Sequence, residues 1–205
     1  MVTWYRRLAD VPGVGYAPAV GVNRKKLKGN DLVPEVRAFS LDGKKHESLS
    51  WAGGGSQSPA KEHTAASPRE TSVAAALKHL AEVLELPGEP ADYHFALQGC
   101  VESLHRQRRD DPAVYAEIER LCWLNIRLLE ACPSAVEFEN GGETRYFRIL
   151  AFAYLVGLYS QEGFLKEALE VAERGARFKQ EGLGAEELHL RLARVVAEDA
   201  TNASP

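Results

Sequence analysis

The sequence predicts an all-α fold of antiparallel helix-turn-helix pairs, about six helices in all, behind a small basic N-terminal arm that contains a β-hairpin. Three observations predict this. Apolar residues recur at helical spacing through residues 67–199. Residues 1–51 lack that period and contain one strand-turn-strand pattern. Residues 52–66, rich in Gly, Ser, Ala and Pro, predict a flexible linker between these regions, and residues 200–205 are expected to be a disordered tail.

Composition indicates a reduced, cytoplasmic protein with one sizeable core. The 205 residues are 45% hydrophobic and 26% charged. The 3 cysteines, an odd number, lie in or beside apolar helical patterns, which favours buried thiols over disulfides. The first residues run into Trp4 and Tyr5 without the apolar core of a signal peptide, and no run of about eighteen apolar residues occurs. No membrane partner is therefore expected.

Charge is divided unevenly along the chain. Residues 1–70 hold 11 Lys and Arg against 7 Asp and Glu, a net +4, whereas residues 71–205 hold 14 against 22, a net -8. A basic arm of this kind can attract polyanions, and it can equally dock on the acidic remainder of its own chain. Sign asymmetry alone leaves both alternatives open.

A β-hairpin is predicted over residues 35–51, "EVRAFSLDGKKHESLSW". Val36, Phe39 and Leu41 precede Asp42-Gly43, a pair suited to the positive φ of a tight turn. Two strands bury too little surface to be stable alone. The arm must therefore lean on the helical body, lean on a partner, or stay mobile.

Three helices are predicted in the first half of the helical region. Ser67-Pro68-Arg69-Glu70 forms a capping box that begins the first, and Pro87-Gly88 ends it. The second lies near residues 91–108. The third begins at Asp111-Pro112 and ends before Pro133, and because apolar residues surround most of it, we expect a central position.

The second half is predicted to hold a loop, a helix pair and a covering helix. "PSAVEFENGGET", residues 133–144, is polar and contains glycine, which favours a loop. The last helix, near residues 185–198, has Leu188, Leu192 and Val195 on one face and charges elsewhere, which is typical of a terminal cover.

The helix pair between them, residues 151–178, combines a bulky face with a shallow one. The first helix carries four large apolar residues at helical spacing: Phe152, Leu155, Val156 and Tyr159. Gly163 supplies a left-handed turn residue. The returning helix carries four small residues: Ala168, Ala172, Gly175 and Ala176. Large against small predicts a closely packed antiparallel pair.

These residues resemble the tetratricopeptide repeat, a helix-turn-helix unit of about 34 residues. Phe152, Leu155, Tyr159 and Ala168 stand at the spacing of the aromatic, leucine, tyrosine and alanine of its pattern. Val156 and Ala172 replace the family's glycine and second aromatic residue, and the match covers about one repeat. The resemblance implies a degenerate array, in which the second and third predicted helices form a neighbouring pair.

The resemblance also implies a non-catalytic adaptor or scaffold that binds another protein or a peptide in a groove. In this family the groove is lined mostly by the first helix of each pair. The corresponding positions in this sequence are Gln98, Glu102, His105, Arg106, Leu150, Ala153, Gly157, Ser160 and Gln161. Ala153 and Gly157 are small and uncharged and lack the basic and amide groups with which family members clamp a C-terminal carboxylate, so a receptor for chaperone tails is not expected.

No pattern predicts an enzyme, a metal site or a cofactor. HExxH, GxSxG, GxxxxGK[ST] and CxxC are absent. His94 and His105 are too far apart along one helix to share a metal ion, and each is interpreted as a surface or rim histidine.

The alternative function is that of a nucleic-acid-associated accessory protein acting through the arm. Its candidate polyanion contacts are Arg24, Lys25, Lys26 and Lys28, with Trp4, Tyr5 and Trp51 as stacking groups. "DVPGVGYAPAVG", residues 10–21, resembles the hairpin of helix-hairpin-helix motifs. Because Pro18 falls where a second helix should already run, a surface loop is favoured there.

Overall fold

The computed structural model describes residues 3–41, 43–51, 57–66, 72–108 and 113–202. They fall into two compact units, Met1–Val136 and Glu137–Pro205. The turn residue Asp42, the capping box at Ser67–Glu70 and the helix start at Asp111-Pro112 lie outside the described residues, as do 52–56 of the linker and 203–205 of the tail. Most of the described chain is helical, as predicted, but two β-hairpins make the all-α description inexact.

The first unit contains a hairpin, four helices and three 3₁₀ turns in its described residues. In chain order these are the 3₁₀ turns Leu8–Asp10 and Arg24–Lys26, strands β1 (Glu35–Leu41) and β2 (Lys44–Ser50), helices α1 (Pro59–Ala65), α2 (Val73–Leu84), α3 (Pro90–Gln107) and α4 (Val114–Ala131), and the 3₁₀ turn Pro133–Ala135.

The predicted N-terminal hairpin is confirmed. Strands β1 and β2 pair antiparallel, from Glu35 opposite Ser50 to Leu41 opposite Lys44. Gly43 has φ +75°, the left-handed conformation that the turn requires.

The N-terminal arm is not a separate element, because its first residues belong to the core of the first unit. Leu8, Val11 and Val14 are buried. Tyr5 forms an isolated antiparallel bridge with Gly88, in which each backbone N–H donates to the other residue's carbonyl, at 2.9 and 3.0 Å. Of the three alternatives left open for the arm, its N-terminal part takes the first and leans on the helical body.

The linker predicted over 52–66 is wrong for residues 59–65, which form α1. Ser58 caps this helix, since its Oγ accepts a hydrogen bond from the N–H of Lys61 at 3.0 Å. Pro59 and Ala60 are buried, and a Cβ added to Gly88 would lie 2.8 Å from the Cβ of Ala60. Small residues let the backbone of α1 lie close to Gly88. This contact holds α1 in place although its sequence has no apolar period.

Helices α2, α3 and α4 confirm the three helices predicted in this region. Ser72 caps α2, accepting from the N–H of Ala75 at 3.3 Å. Helix α4 is central, as expected, because it is buried on several sides. Its buried residues are Val114, Ile118, Leu121, Cys122, Leu124, Asn125, Ile126, Leu128 and Leu129.

The second unit contains a short hairpin and three helices. In chain order these are β3 (Glu137–Asn140), β4 (Glu143–Tyr146), α5 (Leu150–Glu162), α6 (Leu165–Ala176) and α7 (Ala185–Asn202). The hairpin corrects the loop predicted over 133–144. Its strands are polar and exposed, and Gly141 and Gly142, with φ +63° and +82°, make the two-residue turn.

Helices α5 and α6 pack bulky against small, as the sequence predicts. Tyr159 and Val156 of α5 pack on a cluster that includes Ala168 and Ala172 of α6. Gly163 has φ +86°, and the N–H of Phe164 donates to the carbonyl of Tyr159 at 2.8 Å, which ends α5 and reverses the chain.

This packing agrees with the prediction at Gly175 and differs from it at Ala176. Gly175 approaches Phe152 so closely that an added Cβ would lie 3.2 Å from the ring. Ala176 is exposed and so is not part of the shallow face.

Helix α7 covers α6 through Leu188, which is buried, and Leu192, which is partly buried. Val195, predicted to share that face, is 44% exposed. The helix continues to Asn202, which corrects the disordered tail expected from residue 200. The arrangement of α3–α4 and α5–α6 as one repeat array stays a prediction. No helix in the described ranges combines the length and the apolar character needed to cross a bilayer.

Candidate functional site

The α5 part of the predicted groove is a shallow, accessible strip. Ala153, Gly157 and Gln161 follow one another at four-residue intervals and so lie on one side of α5. Ala153 and Gln161 are exposed, and a Cβ added to Gly157 would meet no atom within 4 Å. Leu150 and Ser160, beside this strip, are half-buried.

Helix α5 has more apolar residues than are buried in its packing. Its sequence, "LAFAYLVGLYSQE", is apolar on nearly every side, yet only Ala151, Phe152 and Leu155 are buried. A helix that is apolar all round is normally covered on several sides. Half-buried Val156, Leu158 and their neighbours therefore leave apolar surface within reach of solvent.

The α3 part of the groove is more polar. Gln98, Glu102 and His105 are half-buried and Arg106 is exposed. Arg108 donates from Nη1 to the carbonyl oxygen of His105 and lies 3.0 Å from its Nδ1. Burial and the charge of Arg108 lower the pKa of His105. This set belongs to the first unit and the α5 set to the second, so their union in one groove stays a prediction.

The predicted polyanion cluster is only partly available. Arg24 is wrongly assigned to it, because its guanidinium is used inside the first unit. Its Nε donates to the carbonyl of Glu85 at 3.0 Å and its Nη2 to the carbonyl of Asn30 at 3.0 Å. Lys25, Lys26 and Lys28 are exposed.

The three aromatic residues predicted to stack on bases make contacts within the first unit. Trp51 is 2% exposed, and its ring packs edge-on against Trp4 with centroids 5.9 Å apart. The hydroxyl of Tyr5 lies 3.9 Å from Sγ of Cys132. The contact of Tyr5 with Cys132 ties the arm to the end of α4, and the burial of Trp51 leaves it no open aromatic face for a base.

The Pro- and Gly-rich segment at residues 10–21 is a loop, as favoured. Val11 and Val14 are buried, and Gly13 has φ +82°. Nε of Arg127 in α4 donates to the carbonyl of Val14 at 2.9 Å. The segment thus anchors the arm, and no helix follows it at the place that a DNA-binding hairpin needs.

The prediction that His94 is a surface or rim residue is wrong. It is 0% exposed, and its Nδ1 donates to Oδ1 of Asn125 in α4 at 2.8 Å. Burial lowers its pKa, against the opposing effect of the bond to Asn125. The histidine is a polar link inside the α3–α4 core.

The cysteines are free thiols, which agrees with the reduced state expected from the sequence. Burial raises the pKa of Cys100 and of Cys122 to about 12, so these thiols are poor nucleophiles. Cys132 is half-buried.

Sequence reasoning missed a cluster formed by His63, His79 and Glu82. Each offers one atom that could bind a metal ion, and these atoms lie within 4.8 Å of one another. Nε2 of His63 lies 3.1 Å from Oε2 of Glu82, and the two imidazole rings stack with centroids 4.7 Å apart. The only sequence signal was His79-x-x-Glu82 on one helix, because His63 fell in the expected linker.

A cleft of about 630 Å³ borders this cluster. Residues 19–23 with Lys26 and Leu27 form one wall, and Leu77, Lys78, Ala81 and Glu82 of α2 form the other. Glu82 therefore belongs both to the cluster and to the wall of an open cleft.

Comparison of the chain with protein families, with curated proteins and with solved structures finds no match.

Proposed function

We propose that this protein is a non-catalytic interaction module that binds a segment of another protein through α5. The observation that carries the proposal is the strip Ala153, Gly157 and Gln161, which is open and shallow on a helix whose flanks are apolar. Small residues let a partner backbone approach closely, and partly exposed apolar side chains beside them supply area to bury.

The chemistry of the strip favours a partner segment with apolar anchors over a charged one. No described residue of the strip carries a charge, so it offers no clamp for a carboxylate or a phosphate. A glutamine amide at one end can bond a partner backbone. The expected ligand is a helical or extended segment that buries apolar side chains against α5.

A single substitution tests this proposal. Gly157→Arg places a long charged side chain where the structure has open space, and in a helix it removes the cost of glycine, so folding should be preserved. Ala176→Arg introduces the same side chain at another small, exposed helical position of the second unit. Circular dichroism checks that both variants fold.

The full chain and both variants serve as baits for capture from the native host, and the affinity of any retained protein is then measured with purified components. A partner that binds the parent and Ala176→Arg, but loses about tenfold or more in affinity with Gly157→Arg, supports the proposal. Equal affinity for all three baits overturns it.

The nucleic-acid alternative rests on Lys25, Lys26 and Lys28, which are exposed. It is less favoured because Arg24 and Trp51 are used internally. Deleting the arm would remove core residues such as Leu8 and Val14, so substitution is the better test. A gel shift that weakens steeply with salt, and is lost when all three lysines become alanine, would favour this alternative.

A further inference from the structure

Two helices of the first unit bring three metal-binding side chains together. His63 lies in the last turn of α1, and His79 and Glu82 lie three residues apart on one face of α2. All three are half-buried, and their ligand atoms lie within 4.8 Å of one another. The contact between α1 and α2 thus creates a set that neither helix holds alone.

His79 has a buried nitrogen that no described residue satisfies. Its Nε2 is inaccessible to solvent and forms no hydrogen bond of normal geometry with a described residue. Leaving such an atom unpaired is unfavourable, so a bound group that satisfies it would be stabilising. This observation, independent of the clustering, points to a ligand.

The surroundings of His79 also suit metal binding. Burial and the neighbouring His63 ring lower the pKa of His79. The charge of Glu82 and hydrogen bonding to the backbone of residues 63 and 64 oppose this shift. Its imidazole therefore stays neutral, the form that binds metal ions. Glu82 supplies a carboxylate, whose Oε1 lies 4.0 Å from the ammonium of Lys78, a side chain that is 77% exposed.

We propose that His63, His79 and Glu82 bind a divalent transition-metal ion, with Zn²⁺ as the metal that the donor set fits best. Two imidazole nitrogens and one carboxylate oxygen are an established tetrahedral zinc set, with the fourth position left to water. In such a site the donor atoms lie about 3.4 Å apart. The separation of Nε2 of His63 from Oε2 of Glu82, 3.1 Å, is close to this. The imidazoles of His63 and His79 are stacked, so one ring must rotate for both nitrogens to face the ion.

The ion would fix the carboxyl end of α1. This helix has seven residues, too few to be stable alone, and its buried residues Pro59 and Ala60 lie at its other end. A metal bond from His63 to α2 would hold the last turn in place. The site lies in the first unit, so its test is independent of the interaction surface proposed on α5.

The test is zinc titration of the metal-stripped, full-length protein by calorimetry, with metal content of the stoichiometric complex measured by mass spectrometry. One Zn²⁺ per chain is expected. His63→Ala, His79→Ala and Glu82→Gln should each weaken binding by at least about tenfold and abolish the rise in melting temperature that zinc produces. Visible absorption of bound Co²⁺ gives a second readout of the ligand set, and circular dichroism verifies that each variant folds.

Matched controls separate this site from adventitious binding. His189→Ala removes an exposed histidine whose Nε2 lies 3.6 Å from Oε1 of Glu173, a pair of the same residue types that has no third ligand among the residues the structure describes. Cys132→Ser removes the half-buried thiol. Zinc binding that survives both controls and fails in the three cluster variants supports the proposal. Absence of binding to the parent, or persistence of binding in the cluster variants, overturns it.

Discussion

His94 donates a hydrogen bond from Nδ1 to Oδ1 of Asn125 at 2.8 Å, and both residues are buried between α3 and α4. Since Nδ1 carries the proton, the neutral ring leaves Nε2 as an acceptor. That Nε2 is buried and has no partner within the described ranges. The pair therefore fixes how two central helices face each other while it keeps one polar atom unsatisfied in the core.

Removing one member of this pair should destabilise the protein more than removing both. Asn125→Ala leaves Nδ1 of His94 buried and unpaired, and we expect it to lower the free energy of unfolding by about 1–3 kcal/mol. The double variant His94→Leu with Asn125→Leu replaces polar groups by apolar ones and should be less destabilised than Asn125→Ala. Urea denaturation measures all three proteins, and the opposite order of stabilities would contradict the account.

Acidification should destabilise the protein through the same histidine. The pKa of His94 lies below its usual 6.5 in the folded state, so the unfolded chain takes up a proton first as the pH falls. The free energy of unfolding should decrease as pH drops below about 6.5, by at most about 1.4 kcal/mol per pH unit from this residue. The pKa values of His79 and His105 are lowered too, so they act in the same direction.

A comparison of variants isolates the contribution of His94. Unfolding in urea is measured between pH 7.5 and 5.5, roughly the range in which histidine titrates, with a chelator present. The double leucine variant should show a shallower pH dependence than the parent protein. If both slopes are equal, His94 is not the titrating group.

Local patterns predicted helices α2 to α7 well, because each of these six has a sufficiently long apolar period. The α5–α6 pair is the clearest case, since Tyr159, Gly163 and Ala168 specify a ridge, a turn and a shallow face within ten residues. This relation is local, and the structure places Tyr159 on the cluster that contains Ala168.

The elements that the sequence did not predict are short or depend on distant contacts. Helix α1 begins with Ser58-Pro59, the same start signature as the Ser67-Pro68 at which a helix was expected. Helix α1 is stabilised by burial of Ala60 against Gly88, a contact between residues far apart in sequence. The β3–β4 hairpin had a signal in Gly141-Gly142, but its exposed polar strands lack alternation.

The candidate site residues were also predicted correctly where local geometry determines their exposure, and wrongly where distant contacts do. Ala153 is exposed and Gly157 has open space beside it, as the resemblance implied for these positions, because exposure on one helix follows from local geometry. Arg24 and His94 are internal because their partners, the carbonyl of Glu85 and the amide of Asn125, come from other elements. The cluster of His63 with α2 required knowledge that α1 exists.

Overpacking of the α5–α6 interface tests the fit of bulky against small. Ala168 is 0% exposed in the cluster that Tyr159 contacts, so Ala168→Leu should reduce the free energy of unfolding by about 1–3 kcal/mol. Ala176→Leu makes the same change at an exposed position of the same helix and should be close to neutral. Equal melting temperatures of the two variants would remove the support for close packing at Ala168.

Thiol reactivity should distinguish the three cysteines. Cys100 and Cys122 are buried with pKa values raised to about 12, so at neutral pH almost none of either thiol is ionised. Cys132 is half-buried, at the end of α4, and its sulfur lies 3.9 Å from the hydroxyl of Tyr5. Iodoacetamide should therefore modify Cys132 first in the native protein, and mass spectrometry of timed samples should show one fast adduct. Cys132→Ser should remove that fast adduct and leave the slow modification of the buried pair unchanged, whereas modification of Cys100 or Cys122 at the rate of Cys132 would show that the α3–α4 core opens readily.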